Sequence, residues 1–185
     1  MRRIVPIVFL CLLALTPTSC KKARLRAQLK ELMGSTIVLP EKISCVYNGE
    51  VFPMPDSLRS KAKLIVYIDS AECTTCRISH IEMYHELFQV SKEYESFAVM
   101  LLLSNINLNG IPVIRYLSDL RIEHPVYVDV DNEFLMINPV IPEDNRMHSF
   151  LIDKKGTPLC VGDPVVSEKM LQIFRESVDK LTTNK

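Results

Sequence analysis

The chain has 185 residues, of which 48% are hydrophobic and 24% charged. That suits one globular domain with an appendage and a core large enough to need no disulfide scaffold. Its 22 basic and 22 acidic residues cancel and no basic block stands out, which argues against a nucleic-acid partner. No repeat period or low-complexity tract is present, which excludes a repeat architecture.

The first element is "MRRIVPIVFLCLLALTPTSC", with Arg2 and Arg3 ahead of an apolar stretch from Ile4 to Leu15 and then small and polar residues. Residues 1–19 read as a secretory signal peptide whose apolar stretch is too short to span a bilayer comfortably. The ending "LTPTSC" resembles a lipobox, with Pro17 where Leu or Val is usual, a change that the looser lipoboxes of Bacteroidota tolerate. The resemblance implies cleavage before Cys20, lipid attachment at Cys20, and a membrane-anchored protein of the cell envelope facing the periplasm or the cell surface. A plain secreted protein with an ordinary Cys20 is the alternative. Loss of Arg2 and Arg3 leaves 20 basic against 22 acidic residues, a net of −2. Of six cysteines, Cys11 would leave with the signal and Cys20 would carry lipid, so Cys45, Cys73, Cys76 and Cys160 remain. In an oxidising compartment such thiols are paired or actively kept reduced.

Residues 20–39 form the anchor and tether, with Leu25, Leu29, Leu32 and Met33 at helical spacing, so a helix or a loosely ordered tether is expected. From residue 40 to 185 a single domain follows. Asn48-Gly49 between "ISCVY" and "EVF" predicts a hairpin, because a type I′ turn needs positive φ at both positions. "PMPDSLRSKA" is a connector. Lys63–Asp69 is a buried strand, and Thr74 to about Tyr94 a helix with Ile78, Ile81, Tyr84, Leu87 and Phe88 on one stripe. Ser96–Leu103 is a second buried strand. "NINLNGIP" is a loop whose Pro112 opens a helix to about Leu120. "PVYVDV" is a short strand, and "DNEFLMINPVIPEDNR" a loop with one helical turn. "HSFLID", "KKG" and "TPLCVG" make a hairpin, and Ser167 caps a last helix carrying Met170, Leu171, Phe174, Val178 and Leu181. Strands alternating with helices and closing on a hairpin and helix indicate an α/β fold with a mixed central sheet.

Chemistry concentrates in "SAECTTCRISHIEMY", Ser70 to Tyr84. Cys73 and Cys76 stand at a strand-to-helix junction, where unsatisfied N–H groups and the helix dipole favour a thiolate at Cys73. Cys76, one turn on, is close enough to close a disulfide, so one cysteine can attack a partner disulfide and the other resolve it.

"KLIVYIDSAECTTCRISH", the βαβ order and "FLIDKKGTPLCVGDP" together resemble the thioredoxin fold over roughly residues 40 to 182. More closely, they resemble the thioredoxin-like lipoproteins of Bacteroidota, related to the TlpA/ResA type of thiol-disulfide oxidoreductase. The resemblance implies Cys73 as nucleophile, Cys76 as resolving thiol, no cofactor, and envelope protein thiols or disulfides as partners. Three features depart from the family pattern. Met147 stands where a cis-proline would face the cysteines, with Pro142 five residues too early. Tyr67 stands six residues before Cys73, where thioredoxins hold a buried acid; Glu72 is not its equivalent. Thr74-Thr75 separates the cysteines. Met147 and His148 would then face the groove.

Two other readings share these residues. Cys73, Cys76 and His80 lie on one helical face and, with Met147 and His148 opposite, form a soft set that suits Cu(I), with Zn as the alternative. A metal role would use Cys73, Cys76, His80 and His148 as ligands. Alternatively, the domain is a partner-binding module with a static disulfide. Cys45 and Cys160 read as buried small hydrophobes that could also pair. His85 and His124 read as surface or core residues. Asp129, Asp131 and Glu133 read as a solvated turn, lacking the Gly and distal Glu of a calcium loop.

Overall fold

The computed structural model describes residues 16–69, 78, 81–108 and 110–183. The expected signal segment before residue 16 lies outside the described residues. Helix α1 (Thr16–Met33) contains Cys20 and leads through an extended segment to the hairpin of β1 (Ile43–Tyr47) and β2 (Glu50–Pro53). Asn48 and Gly49 turn this hairpin with φ of 51° and 87°, the type I′ geometry their identities predict. The connector holds one helical turn, α2 (Asp56–Arg59), before β3 (Ala62–Ile68).

The stretch predicted as one long helix is broken. A 3₁₀ turn (Ile81–Tyr84) precedes α3 (His85–Glu93). The tighter turn lines up positions three apart, so Ile81 and Tyr84 both face inward. Tyr84 also donates its hydroxyl to Asp163 Oδ2 at 2.6 Å. The predicted stripe survives, since Ile78, Ile81, Tyr84, Leu87 and Phe88 are all buried.

Next come β4 (Phe97–Ser104), a two-residue ladder of β5 (Asn107–Leu108) with β6 (Ile111–Pro112), and α4 (Val113–Leu120). The chain continues through β7 (Val126–Asp129), the single turn α5 (Phe134–Ile137), β8 (Ser149–Ile152), β9 (Pro158–Val161) and α6 (Glu168–Thr183). Ser167 Oγ accepts from Met170 N at 3.3 Å, the cap expected at the start of α6.

Seven strands form one sheet in the order β2-β1-β7-β4-β3-β8-β9. The β7-β4-β3 ladders are parallel and the remaining pairs antiparallel, so the sheet is mixed. Alternation splits the central strands between two apolar layers. Leu64, Val66, Leu101, Leu103 and Val128 pack under α3, α4 and α6 with Leu87, Val113 and Phe174. Ile65, Tyr67, Met100, Leu102 and Phe150 pack on the other face with Leu32, Leu58 and Phe134. Leu32 of α1 is fully buried there, so the C-terminal end of α1 docks on the sheet. Among the described residues no helix is long and apolar enough to cross a membrane.

The extended segment after α1 is strapped down by polar contacts. Buried Asn138 accepts from Val38 N and donates to Val38 O, both at 2.8 Å. Ile37 N donates to Gly156 O at 2.9 Å, and a Cβ on Gly156 (φ +88°) would meet Ile37 O at 2.4 Å. Only glycine permits that approach.

Lys63 is the discordant residue of β3, 2% exposed and on the same face as Ile65. Its Nζ donates to the carbonyls of Lys61 (2.6 Å) and Arg59 (3.2 Å). Burial, aided by the Arg59 charge, lowers its pKa from 10.5 to about 8. The unfolded chain therefore binds more protons between these values, and stability from this group rises with pH across that window. We expect Lys63→Met to be more stable than the wild type at pH 7 by about 1–2 kcal/mol. In urea melts the gap should close as pH rises from about 8 to 10.5.

Candidate functional site

The parallel strands end together. Ile68 of β3 is level with Leu103 of β4, which is level with Val128 of β7, and Ser104 pairs with Asp129. Strand β8 runs the other way and begins at this edge. Val66 pairs with Ser149, and Tyr67 N donates to His148 O at 2.9 Å. Met147-His148 therefore lies alongside the end of β3, immediately before the stretch that carries Cys73 and Cys76. This carboxyl edge is where open α/β sheets place ligands and reacting groups. Cys73, Cys76 and His80 lie outside the described residues, as do Glu72, Thr74 and Thr75.

A short 3₁₀ turn (Asn145–Met147) feeds the chain into β8. Asp144 holds it: its side chain accepts from Arg146 N at 3.2 Å and from Arg146 Nε at 2.8 Å, while its carbonyl accepts from Met147 N at 2.8 Å. The Arg146 guanidinium holds the Asp144 carboxyl at about 2. Met147 is buried in the apolar layer beside Tyr67 and Phe150. His148 is 2% exposed, and its Nε2–H donates to Pro142 O at 2.9 Å. The proline that is displaced in sequence from the expected groove position thus meets His148 through its carbonyl. Among the described residues every peptide bond is trans, including the one before Met147.

Behind this edge lies a buried polar group that sequence reading did not assemble. Tyr67 has its ring 4.9 Å from Phe134 and 5.8 Å from His148. Burial first, then the charges of Asp129 and Asp69, raise its pKa far above the ordinary tyrosine value, so it is a neutral phenol. Ser104 Oγ donates to Ile68 O at 3.4 Å. Asp129 is fully buried, which overturns its reading as part of a solvated turn. Its Oδ2 accepts from Phe134 N at 2.8 Å and caps α5, while Oδ1 meets no hydrogen-bond donor among the described residues. Asp131 follows the solvated reading, pairing with Lys42 at 2.9 Å, and Glu133 is half-exposed. The only trace of Asp129's role in sequence is its place as the polar end of an apolar strand, "PVYVD". Beyond it, Asn132 accepts from Asn105 N at 2.6 Å and donates to Asn105 O at 3.0 Å, stitching the loops after β4 and β7.

Cys45 and Cys160 are free and buried. They occupy β1 and β9, five strand spacings apart, roughly 24 Å, so a mutual disulfide is geometrically excluded. Burial raises the Cys45 thiol to about 11 against a smaller opposing bond from Tyr127, and burial also raises Cys160. Both are poor nucleophiles.

No protein-family model and no curated protein matches the chain in sequence. Among solved structures, a thioredoxin-like superfamily protein gives a TM-score of 0.52 at 20% identity, covering 82% of this chain and 99% of that one. The thioredoxin domain of a thiol-disulfide oxidoreductase from Bacteroides vulgatus gives 0.43 at 12%, covering 80% and 98%. An exposed lipoprotein thioredoxin from Streptococcus pneumoniae gives 0.46 at 15%, covering 71% and 97%. The first of these likenesses, with the strand order above, establishes a thioredoxin-like fold.

The Asp129 geometry predicts a contrast between two substitutions. Asp129→Ala strips the buried Phe134 N–H of its acceptor and should cost about 1–3 kcal/mol. Asp129→Asn keeps an oxygen for that bond, so its urea midpoint should lie clearly above that of Asp129→Ala.

Proposed function

We propose that this thioredoxin-like chain is a lipid-anchored thiol-disulfide exchanger of the bacterial cell envelope, acting on protein thiols or disulfides. The observation that carries the reading is positional. The central strand β3 ends at the carboxyl edge of a thioredoxin-like sheet with Met147-His148 laid beside it, and Cys73 follows that end by five residues in the sequence.

In the exchange, the Cys73 thiolate attacks one sulfur of a partner disulfide. The partner's S–S bond breaks, its second sulfur leaves as a thiolate, and a mixed disulfide forms. The Cys76 thiolate then attacks Cys73 sulfur, releasing the partner as a dithiol and leaving the chain oxidised by two electrons. Another envelope dithiol returns those electrons. The reverse sequence oxidises the partner. Neither direction calls on a cofactor. Asp129 supports the reading by supplying a buried carboxylate at the same strand ends, on the sheet face of Tyr67, where the family's usual acid is missing. The packing of Met147 in the core and the His148 bond to Pro142 favour exchange over Cu(I) capture, since both side chains are already engaged.

Two experiments test the reading. In the reduced protein, Cys73 should alkylate first and with a pKa below the free-thiol value of about 8.5. Cys45 and Cys160 should stay unlabelled until denaturant is added. With an aromatic disulfide reagent, Cys76→Ser should hold a stable mixed disulfide on Cys73. The wild type should instead release two equivalents of aromatic thiol as its own disulfide closes, and Cys73→Ser should react slowly. Equal, unactivated reactivity of Cys73 and Cys76 with no trapped adduct would leave the partner-binding module as the better reading.

The anchor is tested by detergent phase partitioning. The wild type should enter the detergent phase and Cys20→Ser the aqueous phase. A wild type that already partitions into water would remove the lipid from the proposal.

A further inference from the structure

Away from the cysteine edge, three potential metal ligands converge where α3 begins. Glu82 comes from the 3₁₀ turn, His85 is the first residue of α3, and His124 comes from the connection between α4 and β7. One ligand atom from each lies within 4.8 Å of the other two. We propose that Glu82, His85 and His124 form a binding site for a borderline divalent transition metal, with Zn²⁺ the best fit.

The distances carry the argument. Zn–N bonds of about 2.0–2.1 Å place two nitrogens of a tetrahedral site about 3.3–3.4 Å apart. His85 Nδ1 and His124 Nε2 stand 3.3 Å apart. Glu82 is exposed, so a rotamer change brings its carboxylate onto the third position without repacking the core. Two imidazoles and one carboxylate, with a position left for water, is a recognised zinc ligand set. The softer thiolate and thioether ligands that would select Cu(I) are not in it.

The ligands are also held in place. His124 is buried, and its ring stacks on Phe88 at 4.2 Å with an 8° interplanar angle. That fixes the direction of Nε2 toward His85. Burial, with the neighbouring His85 adding to it, lowers the His124 pKa and keeps the imidazole in its neutral, ligating form. When His85 ligates through Nδ1, its Nε2 must carry the proton. The Gln89 side-chain amide lies 3.1 Å from that Nε2, and turning the amide presents its oxygen as acceptor. Glu123 and Lys92 are the other charged groups whose fields reach His124, and they oppose each other there. Glu86 is committed to an ion pair with Arg175. A metal here would clamp the start of α3, the helix that follows the Cys-x-x-Cys stretch, to the connection entering β7. The inference is independent of thiol exchange.

The test uses the full chain in detergent with Cys11→Ser, Cys20→Ser, Cys73→Ser and Cys76→Ser, so that no accessible thiol competes. Competition with a chromophoric chelator should find one Zn²⁺ per chain, and Zn²⁺ should raise the melting temperature reversibly with EDTA. Co²⁺ should give visible d–d bands without a thiolate charge-transfer band. His85→Ala and Glu82→Gln, both at exposed positions, should each weaken Zn²⁺ by about tenfold or more, and Gln89→Ala by a smaller factor. The proposal is overturned if the serine background binds no Zn²⁺, or if His85→Ala and Glu82→Gln leave affinity unchanged. In either case the two imidazoles are simply a hydrogen-bonded pair.

Discussion

Strand β3 is buried along its whole length, from Ala62 to Ile68, and it has neither a free edge nor a free face. β4 pairs with it in parallel over all seven residues, and β8 pairs antiparallel on its other side. A strand buried on both faces has only one open place, its end. Tyr67, Ser104, Asp129 and His148 gather at that end because parallel strands bring their carboxyl ends to one edge. The opposite arrangement of β8 then delivers a loop to the same edge.

That loop illustrates how one geometric task can be met by different residues. Where the resembled family carries a cis-proline, this chain builds a 3₁₀ turn from Asp144, Arg146 and Met147 and enters β8 through a trans peptide. Met147 fills the apolar layer while His148 is held by the Pro142 carbonyl. Tyr67 stands on β3 where the resembled family holds a buried acid, and Asp129 lies at the same edge on β7, two strands away. Buried Asp129, with one bond from Phe134 N, is a polar group inside an otherwise apolar sheet.

The second apolar layer is closed in part by residues ahead of the central βαβ unit. Leu32 and Ile37 complete it, and the segment between α1 and β1 is tied to α5 by Asn138 and to the β8-β9 turn by Gly156. The N-terminal helix is therefore joined to the core at its end, and its position relative to the sheet is set by those bonds. An anchor at Cys20 would act on the domain through a docked helix.

Local rules were enough for most elements. Asn48-Gly49 dictated its hairpin because few other residue pairs tolerate two successive positive φ angles. Ser167 marked the start of α6, and the apolar runs of β3, β4 and β7 could be placed within a residue or two, because period and burial are written in consecutive positions. The Cys-x-x-Cys is plain in the sequence, beginning five residues past the end of β3. What the sequence could not contain were relations between distant positions. The helix stripe was visible, but the 3₁₀ turn ending at Tyr84 was not, nor its bond to Asp163, 79 residues away. Asp129 looked solvated because its neighbours are polar, and only the pairing of β7 with β4 buries it. The meeting of His85 with His124 follows from how α3 packs against the connection into β7, and the separation of Cys45 from Cys160 from strand order. Local chemistry determined which elements form. The tertiary structure decided which side chains meet across them, because those neighbours are supplied by segments that sequence spacing keeps apart.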